Sequence, residues 1–407
     1  MYIQREQLLN KLIGYRDKDI IKVITGIRRC GKSVLLNDLY YDYLIGSGVP
    51  SDHIIKVALD LKKWEHLRDS DALYQYLSDA IIDQEKYYVF LDEIQMANGF
   101  EEVVNSIKAE HNTDIYITGS NSKMLSSEIN TIFRGRGIEV KVFPLSFSEF
   151  LFHKGTVDKQ DAFDEYVRYG GLPYAATEDN PSEKTAYLGM ISDTVVKRDM
   201  IDRYGIRNKM LFEAVLEFLC SAIGSYVSTS KIANALKSNG FKTADNETIA
   251  RYLSYICDSF LFYKVQRYDI KGKEYLKTQN KYYVTDIGLR NVITNYRQIE
   301  MTHIIENIVY IELLRRGYIV DIGKNREKEI DFVASVQGGK KWYIQVSYTV
   351  EDETTKEREL SAFRKLDDGY KKILITMDRN PLTNLDNGYQ MIHLFDFLLN
   401  EKALEEA

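Results

Sequence analysis

One eight-residue run, Gly26-Ile27-Arg28-Arg29-Cys30-Gly31-Lys32-Ser33, limits the folds open to this chain more than any other feature. It has the spacing G-x-x-x-x-G-K-[ST], and its flanks fit: the apolar run Ile20–Ile24 before it predicts a buried strand, and the periodic segment Ser33–Leu44 a helix. The glycines let the backbone curl until its N–H groups converge on one anion. The helix that follows aims its positive end at the same place. Such a turn is a phosphate cradle, and the stretch from Gly26 to Val34 is the expected binding loop for a nucleoside triphosphate. Lys32 would reach its β- and γ-phosphates, and the Ser33 hydroxyl would ligate Mg²⁺. Arg28 and Arg29 occupy filler positions and are expected on a solvated loop. Cys30 reads as a small packing residue, oxidisable only if exposed with a lowered pKa.

Further apolar runs, Ile54–Leu59, Tyr87–Leu91 and Ile115–Ile117, alternate with helical segments such as Ala72–Ile82, the pattern of an α/β fold with a parallel sheet. The run from Tyr87 ends in Asp92-Glu93, which places two carboxylates at the carboxyl edge of that sheet, where ligands bind in such folds. Asp92 would hold the Mg²⁺ shell and Glu93 would orient and polarise the attacking water. The run from Ile115 ends in Gly119-Ser120-Asn121, and Ser120 or Asn121 could read the γ-phosphate or position water.

The chain has 407 residues, enough for two to four domains. Its net charge of −6 excludes a polycation, so nucleic-acid binding would need a local basic patch. Cys30, Cys220 and Cys257 form neither a CxxC pair nor a Cys/His cluster, which speaks against a zinc site and a disulfide framework. The first fifteen residues lack a signal-peptide core and no apolar stretch approaches a membrane span, so a cytoplasmic location and no membrane partner are expected.

The series GIRRCGKS, FLDEIQ, ITGSNS, FRGRG and FPLSFSEF resembles the AAA-type ATPases of bacteria and archaea that carry a C-terminal restriction-endonuclease-like domain. The resemblance implies ATP as the nucleotide, ATP hydrolysis as the activity and a homo-oligomer as an option. It also implies an arginine that contacts the γ-phosphate, often across a subunit boundary, for which Arg134 and Arg136 are the matching residues. Nothing suggests a phosphorylated small-molecule acceptor, so an ATPase is preferred over a kinase.

Four regions are expected: a P-loop ATPase core over 1–150, a helical lid over 151–206 containing Gly170-Gly171-Leu172-Pro173, a winged-helix domain over 207–296, and a restriction-endonuclease-like α/β domain over 297–407. In the third, Ser228-Thr229 and Asp245 or Asn246 would cap two helices, and Phe262–Val265 and Lys281–Val284 would form the wing. Lys237, Lys242, Arg251, Lys264, Arg267, Lys271, Lys273 and Lys277 make this region basic enough to hold DNA phosphates without base readout. In the fourth, the resemblance matches Asp331 and Glu306 to the acids of an Mg²⁺-dependent nuclease. Gln345 stands where the second acid would be and Ser347 where a lysine would be, so a degenerate domain is favoured. Lys356, Arg358 or Lys371 could replace that lysine. The leading reading is an ATP-driven switch acting on DNA or a protein partner. An ATP-dependent nuclease and a nucleotide-gated interaction module without turnover are the alternatives.

Overall fold

The computed structural model describes residues 3–121, 132–133, 135–155, 157–326, 328–364, 366, 368–378 and 388–406. The chain divides into two compact units, Met1–Pro144 with Asp258–Phe260, and Leu145–Cys257 with Leu261–Ala407.

The first unit is built on five parallel strands: β1 (Ile21–Thr25), β2 (Ile54–Ala58), β3 (Tyr87–Asp92), β4 (Thr113–Gly119) and β5 (Gly137–Lys141). Every residue of β1, β3 and β4 is buried, which is why these strands read as continuous apolar runs and do not alternate. Helix Ser70–Ala80 starts where the Asp69 carboxylate accepts the Asp71 and Ala72 N–H groups, and it buries Leu73 and Leu77. Helix Phe100–Glu110 adds Val104 and Ile107 to the same core, beside Val89 and Ile117. The strand order is β2-β3-β4-β1-β5. Because β4 lies between β1 and β3, the turns that follow these three strands emerge side by side at one edge, and this sets the site.

The second unit holds helices Phe147–Lys154, Lys159–Tyr169, Pro181–Thr194, Lys209–Ser221 and Thr229–Ser238, among others, and a mixed sheet. The sheet contains β6 (Phe262–Asp269), β7 (Glu274–Val284), β8 (Ile319–Asn325), β9 (Lys328–Ser335), β10 (Lys341–Ser347), β11 (Lys371–Thr376) and β12 (Gln390–His393), in the order β12-β11-β10-β9-β8-β6-β7. The expected helix caps form: Ser228 accepts the Lys231 N–H at 3.1 Å, and Asp245 accepts the Thr248 N–H at 2.9 Å. The hairpin at Gln337-Gly338-Gly339 joins β9 to β10, with Gly338 and Gly339 both at positive φ. One sheet takes strands from both sides of the expected boundary at 296/297. β6 pairs in parallel with β8 at Arg267–Ile322, Tyr268–Gly323 and Asp269–Lys324, so the β6–β7 hairpin and the C-terminal strands form one structure.

Candidate nucleotide site and a second acidic cleft

The loop between β1 and the next helix curls as its glycines allow. Gly26 has φ 151° and Gly31 φ 102°, and a Cβ on Gly26 would lie 2.1 Å from the Val142 carbonyl oxygen. Arg5, itself buried, clamps the loop from below by donating to the carbonyls of Cys30 at 3.0 Å and Phe143 at 2.8 Å. Ile27 is buried, and Arg29 is exposed with φ 67°. Cys30 is fully buried and its thiol donates to the Val142 carbonyl at 3.2 Å; burial pushes its pKa up, so the condition for an oxidisable thiol is not met. Helix begins at Lys32 and, after Val34, continues through a π-helical stretch, Leu35–Tyr40. The Lys32 ammonium is folded back onto the loop, donating to the carbonyls of Gly26 at 2.9 Å and Ile27 at 3.1 Å.

The acidic tip of β3 meets this loop. The Asp92 carboxylate accepts from Asn37 Nδ2 at 3.2 Å and from Thr118 Oγ1, and the Ser33 hydroxyl is near enough to favour its charged form. Burial raises the Asp92 pKa despite those hydroxyls. Glu93 is 9 % exposed and sits at φ 52°, a left-handed conformation that costs strain in a non-glycine residue; its own N–H donates to Thr118 Oγ1 at 3.0 Å. Burial alone would raise the Glu93 pKa. The charges of Lys32 and Arg28, with hydrogen bonds from Gln95 and Ser120, outweigh it and hold the carboxyl below the usual glutamate value. Arg28 is therefore half-buried and electrostatically tied to Glu93, not merely solvated as expected.

Ser120, at the end of β4, donates to Glu93 Oε2 at 3.0 Å, and Asn121 is buried beside it. Gln95 also donates from Nε2 to Glu93 Oε2, and to Ser120 Oγ at 3.3 Å. Sequence reasoning passed over Gln95 and Thr118. The -Asp-Glu-Ile-Gln- turn carried the only signal for Gln95, since a 3-10 turn at Ile94–Met96 folds position 95 back over position 93. Arg134 lies outside the described residues. Arg136 does not join the site within one chain: it precedes β5, whose first residue Gly137 pairs with Ile21 at the start of β1, whereas the phosphate loop follows the end of β1. Five residues of strand, about 16 Å, separate those two edges. Arg136 is exposed, 4.0 Å from Asp19.

A second cluster lines a cleft of about 530 Å³ in the second unit. Glu306 on helix Met301–Arg315 and Asp331 on β9 do meet there, as the resemblance implied. The basic residue paired with them is Lys281 from β7; of Lys356, Arg358 and Lys371, Arg358 lines the same cleft and pairs with Glu359 at 2.8 Å. The buried Lys281 ammonium lies 2.9 Å from Glu306, 2.5 Å from Glu329 and 4.0 Å from Asp331. Burial opposes the charge on Lys281, but the three acids together raise its pKa and keep it an ammonium. Burial, then the charge of Glu306, raises Asp331 well above the ordinary aspartate value, against the pull of the Lys281 ammonium. Gln345 bridges, accepting the Asp331 N–H at 2.8 Å and donating to Glu359 at 2.9 Å. Among the described residues no group of three or more His, Cys, Asp or Glu side chains is arranged to hold a metal ion.

A family profile for an AAA domain matches residues 18–151, and one for a domain of unknown function (DUF8612) matches residues 160–300. A Haemophilus influenzae protein described as uncharacterized is 41% identical over 403 residues, covering 98% of each chain. The chain belongs to the same family as that protein. The family reaches the archaea: the uncharacterized protein MJ1544 of Methanocaldococcus jannaschii is 31% identical, covering 92% of this chain and 85% of its own. Among solved structures, the Walker-type ATPase PABY2304 of Pyrococcus abyssi is similar at 14% identity and TM-score 0.48, covering 72% of this chain and 95% of that one. In this AAA-domain protein the donor set suits Mg²⁺. One hydroxyl and one carboxylate face a phosphate cradle, which matches an ion that keeps most of its water and takes only one or two protein ligands. No helix among the described residues is long and apolar enough to cross a membrane.

Proposed function

We propose that this chain hydrolyses ATP at the edge of its five-stranded sheet and uses the nucleotide state as a conformational switch. One observation carries the reading: the loop with its helix and the acidic tip meet in one place, where Asn37 Nδ2 donates to Asp92 at 3.2 Å and the charges of Lys32 and Arg28 act on Glu93. The loop N–H groups from Gly26 to Val34 bind phosphate oxygens, and Lys32 leaves its two loop carbonyls for the β- and γ-phosphates. Ser33 and Asp92 would hold Mg²⁺, which when bound offsets phosphate charge. Glu93, kept ionised, accepts a proton from water as the water oxygen bonds to the γ-phosphorus. The bond from that phosphorus to the bridging oxygen breaks, and ADP and phosphate leave. An arginine on the γ-phosphate would have to come from Arg134, or from Arg136 of a second copy in a homo-oligomer. Binding of a fluorescent ATP analogue tests the cradle. Lys32→Ala should weaken Mg²⁺-dependent binding by at least about tenfold, and an unchanged affinity would remove Lys32 from the site.

The alternative of an ATP-dependent nuclease is disfavoured by Lys281, whose ammonium already neutralises the acids a metal would need. We read the C-terminal cleft as catalytically silent. The winged-helix reading rests on the capped pair Thr229–Ser238 and Asn246–Asp258 beside the β6–β7 hairpin, with Lys237, Lys242, Arg251, Lys264, Lys271 and Lys273 exposed. Arg267 is half-buried over the Tyr226 ring, and nothing is described of the Lys277 side chain. This surface supports DNA contact through phosphates in a cytoplasmic protein, with a protein partner as the other candidate. A duplex titrated at low and raised salt, with ATP and Mg²⁺, should be bound in a salt-sensitive way and left uncut. Mg²⁺-dependent strand cleavage abolished by Asp331→Ala would reverse the reading of the cleft.

A further inference from the structure

Gln95 has hydrogen-bond chemistry that the site as described does not use up. Its Nε2 carries two hydrogens, and both are placed: one on Glu93 Oε2 and one on Ser120 Oγ, at 3.3 Å for the latter. The orientation of the amide is forced, because a carboxylate can only accept and so must face the nitrogen. Ser120 closes the ring by donating its own hydrogen to Glu93 Oε2 at 3.0 Å. The carbonyl end is left over. Gln95 Oε1 is buried and has no hydrogen-bond partner among the described residues. A buried carbonyl without a donor is costly, and in native proteins such a group points to a role, a bound water or a ligand among them. This acceptor belongs to the same rigid, planar amide whose nitrogen is held on Glu93 and Ser120.

We propose that Gln95 is a positioning residue for hydrolysis, with its two ends doing different work. Nε2, together with Ser120, fixes the rotamer of Glu93. Oε1 accepts one hydrogen of the attacking water while Glu93 accepts the other. A water held by both hydrogens has its oxygen lone pair free for the γ-phosphorus. In the step itself the water O–H facing Glu93 breaks and its proton passes to that carboxylate. The new O–P bond forms, the γ-phosphorus parts from the bridging oxygen, and the O–H on Gln95 stays intact as part of the released phosphate. Gln95 thus acts before and during attack without exchanging a proton. The assignment rests on the hydrolase reading above and names the group that directs its nucleophile.

The test compares wild type, Gln95→Met, Glu93→Gln and the double variant of the full chain. Steady-state phosphate release gives kcat and KM, and a fluorescent ATP analogue gives affinity directly. Gln95→Met should lower kcat by at least about tenfold with KM and affinity within about twofold of wild type. Because both residues act on one water, the double variant should be no slower than Glu93→Gln alone. A merely structural Gln95 would instead lower affinity, and its loss would multiply with that of Glu93→Gln; either result overturns the proposal. Gln95→Ala repeats the comparison if the Met variant is thermally weakened. Turnover in wild type with Gln95→Met undiminished would overturn this assignment alone. No turnover in wild type would overturn the hydrolase reading and this assignment with it.

Discussion

Gly26 shows how little room the phosphate loop has. The next strand's continuation passes so close that the Val142 carbonyl would lie 2.1 Å from any Cβ, and φ at 151° is already a conformation that side chains avoid. Gly26→Ala should therefore displace the loop backbone and lower ATP affinity at least about tenfold, with a lowered melting temperature. Equilibrium binding checks this, and wild-type affinity in the variant would show that the loop does not need its observed shape. The same crowding explains Cys30, which fills the space under the loop and bonds to the same carbonyl. Residue identity made Lys32, Ser33, Asp92 and Glu93 legible in advance, since each belongs to a spaced motif with a chemical reason. Gln95 and Thr118 were not legible. Their roles come from a tight turn and from a strand neighbour, and neither leaves a periodic mark. Lys281 was hidden for a similar reason, because it reads as one of many basic wing residues until β7 brings it to Glu306, 25 positions away.

At the scale of elements, the strand and helix runs were readable because burial on both faces writes itself as unbroken apolar sequence. The pairing of β6 with β8 was not, since parallel register between distant segments has no local signature. Gly170-Gly171-Leu172-Pro173 likewise gave no hint of its purpose. The structure shows it docked on Asp286: the Gly171 N–H donates to Asp286 Oδ2 at 2.8 Å, and a Cβ on Gly170 would strike Oδ1 at 2.1 Å. Asp286 also caps helix Ile287–Ile293 through the Leu289 N–H at 3.1 Å. Burial pushes Asp286 up to about 6, against backbone hydrogen bonds that favour its charged form. The unfolded chain would titrate near 3.8, so the folded state holds this proton to higher pH. The resulting stabilisation is complete below about pH 3.8, shrinks as pH rises, and is gone above about 6. Between pH 7 and 5 the wild type should gain on Asp286→Asn, by at most about 1.4 kcal/mol per pH unit. Denaturant titrations at the two pH values check this, and parallel behaviour of the two proteins would contradict it.

For the molecule as a whole, the sheet order brings three turns to one edge, and everything proposed about nucleotide chemistry depends on that convergence. The net charge of −6 means that the proposed DNA contact would need a local surface, and the exposed lysines of the middle region are the residues that would supply it. The central claim is that the glycine loop and the tip of β3 form one hydrolytic site, in which binding and water activation are separable. The most direct measurement is ATP retention and phosphate release by the full chain carrying Glu93→Gln, mixed with ATP and Mg²⁺. The variant should hold ATP with wild-type affinity while releasing phosphate at least about a hundredfold more slowly. Phosphate release at the wild-type rate would contradict the account.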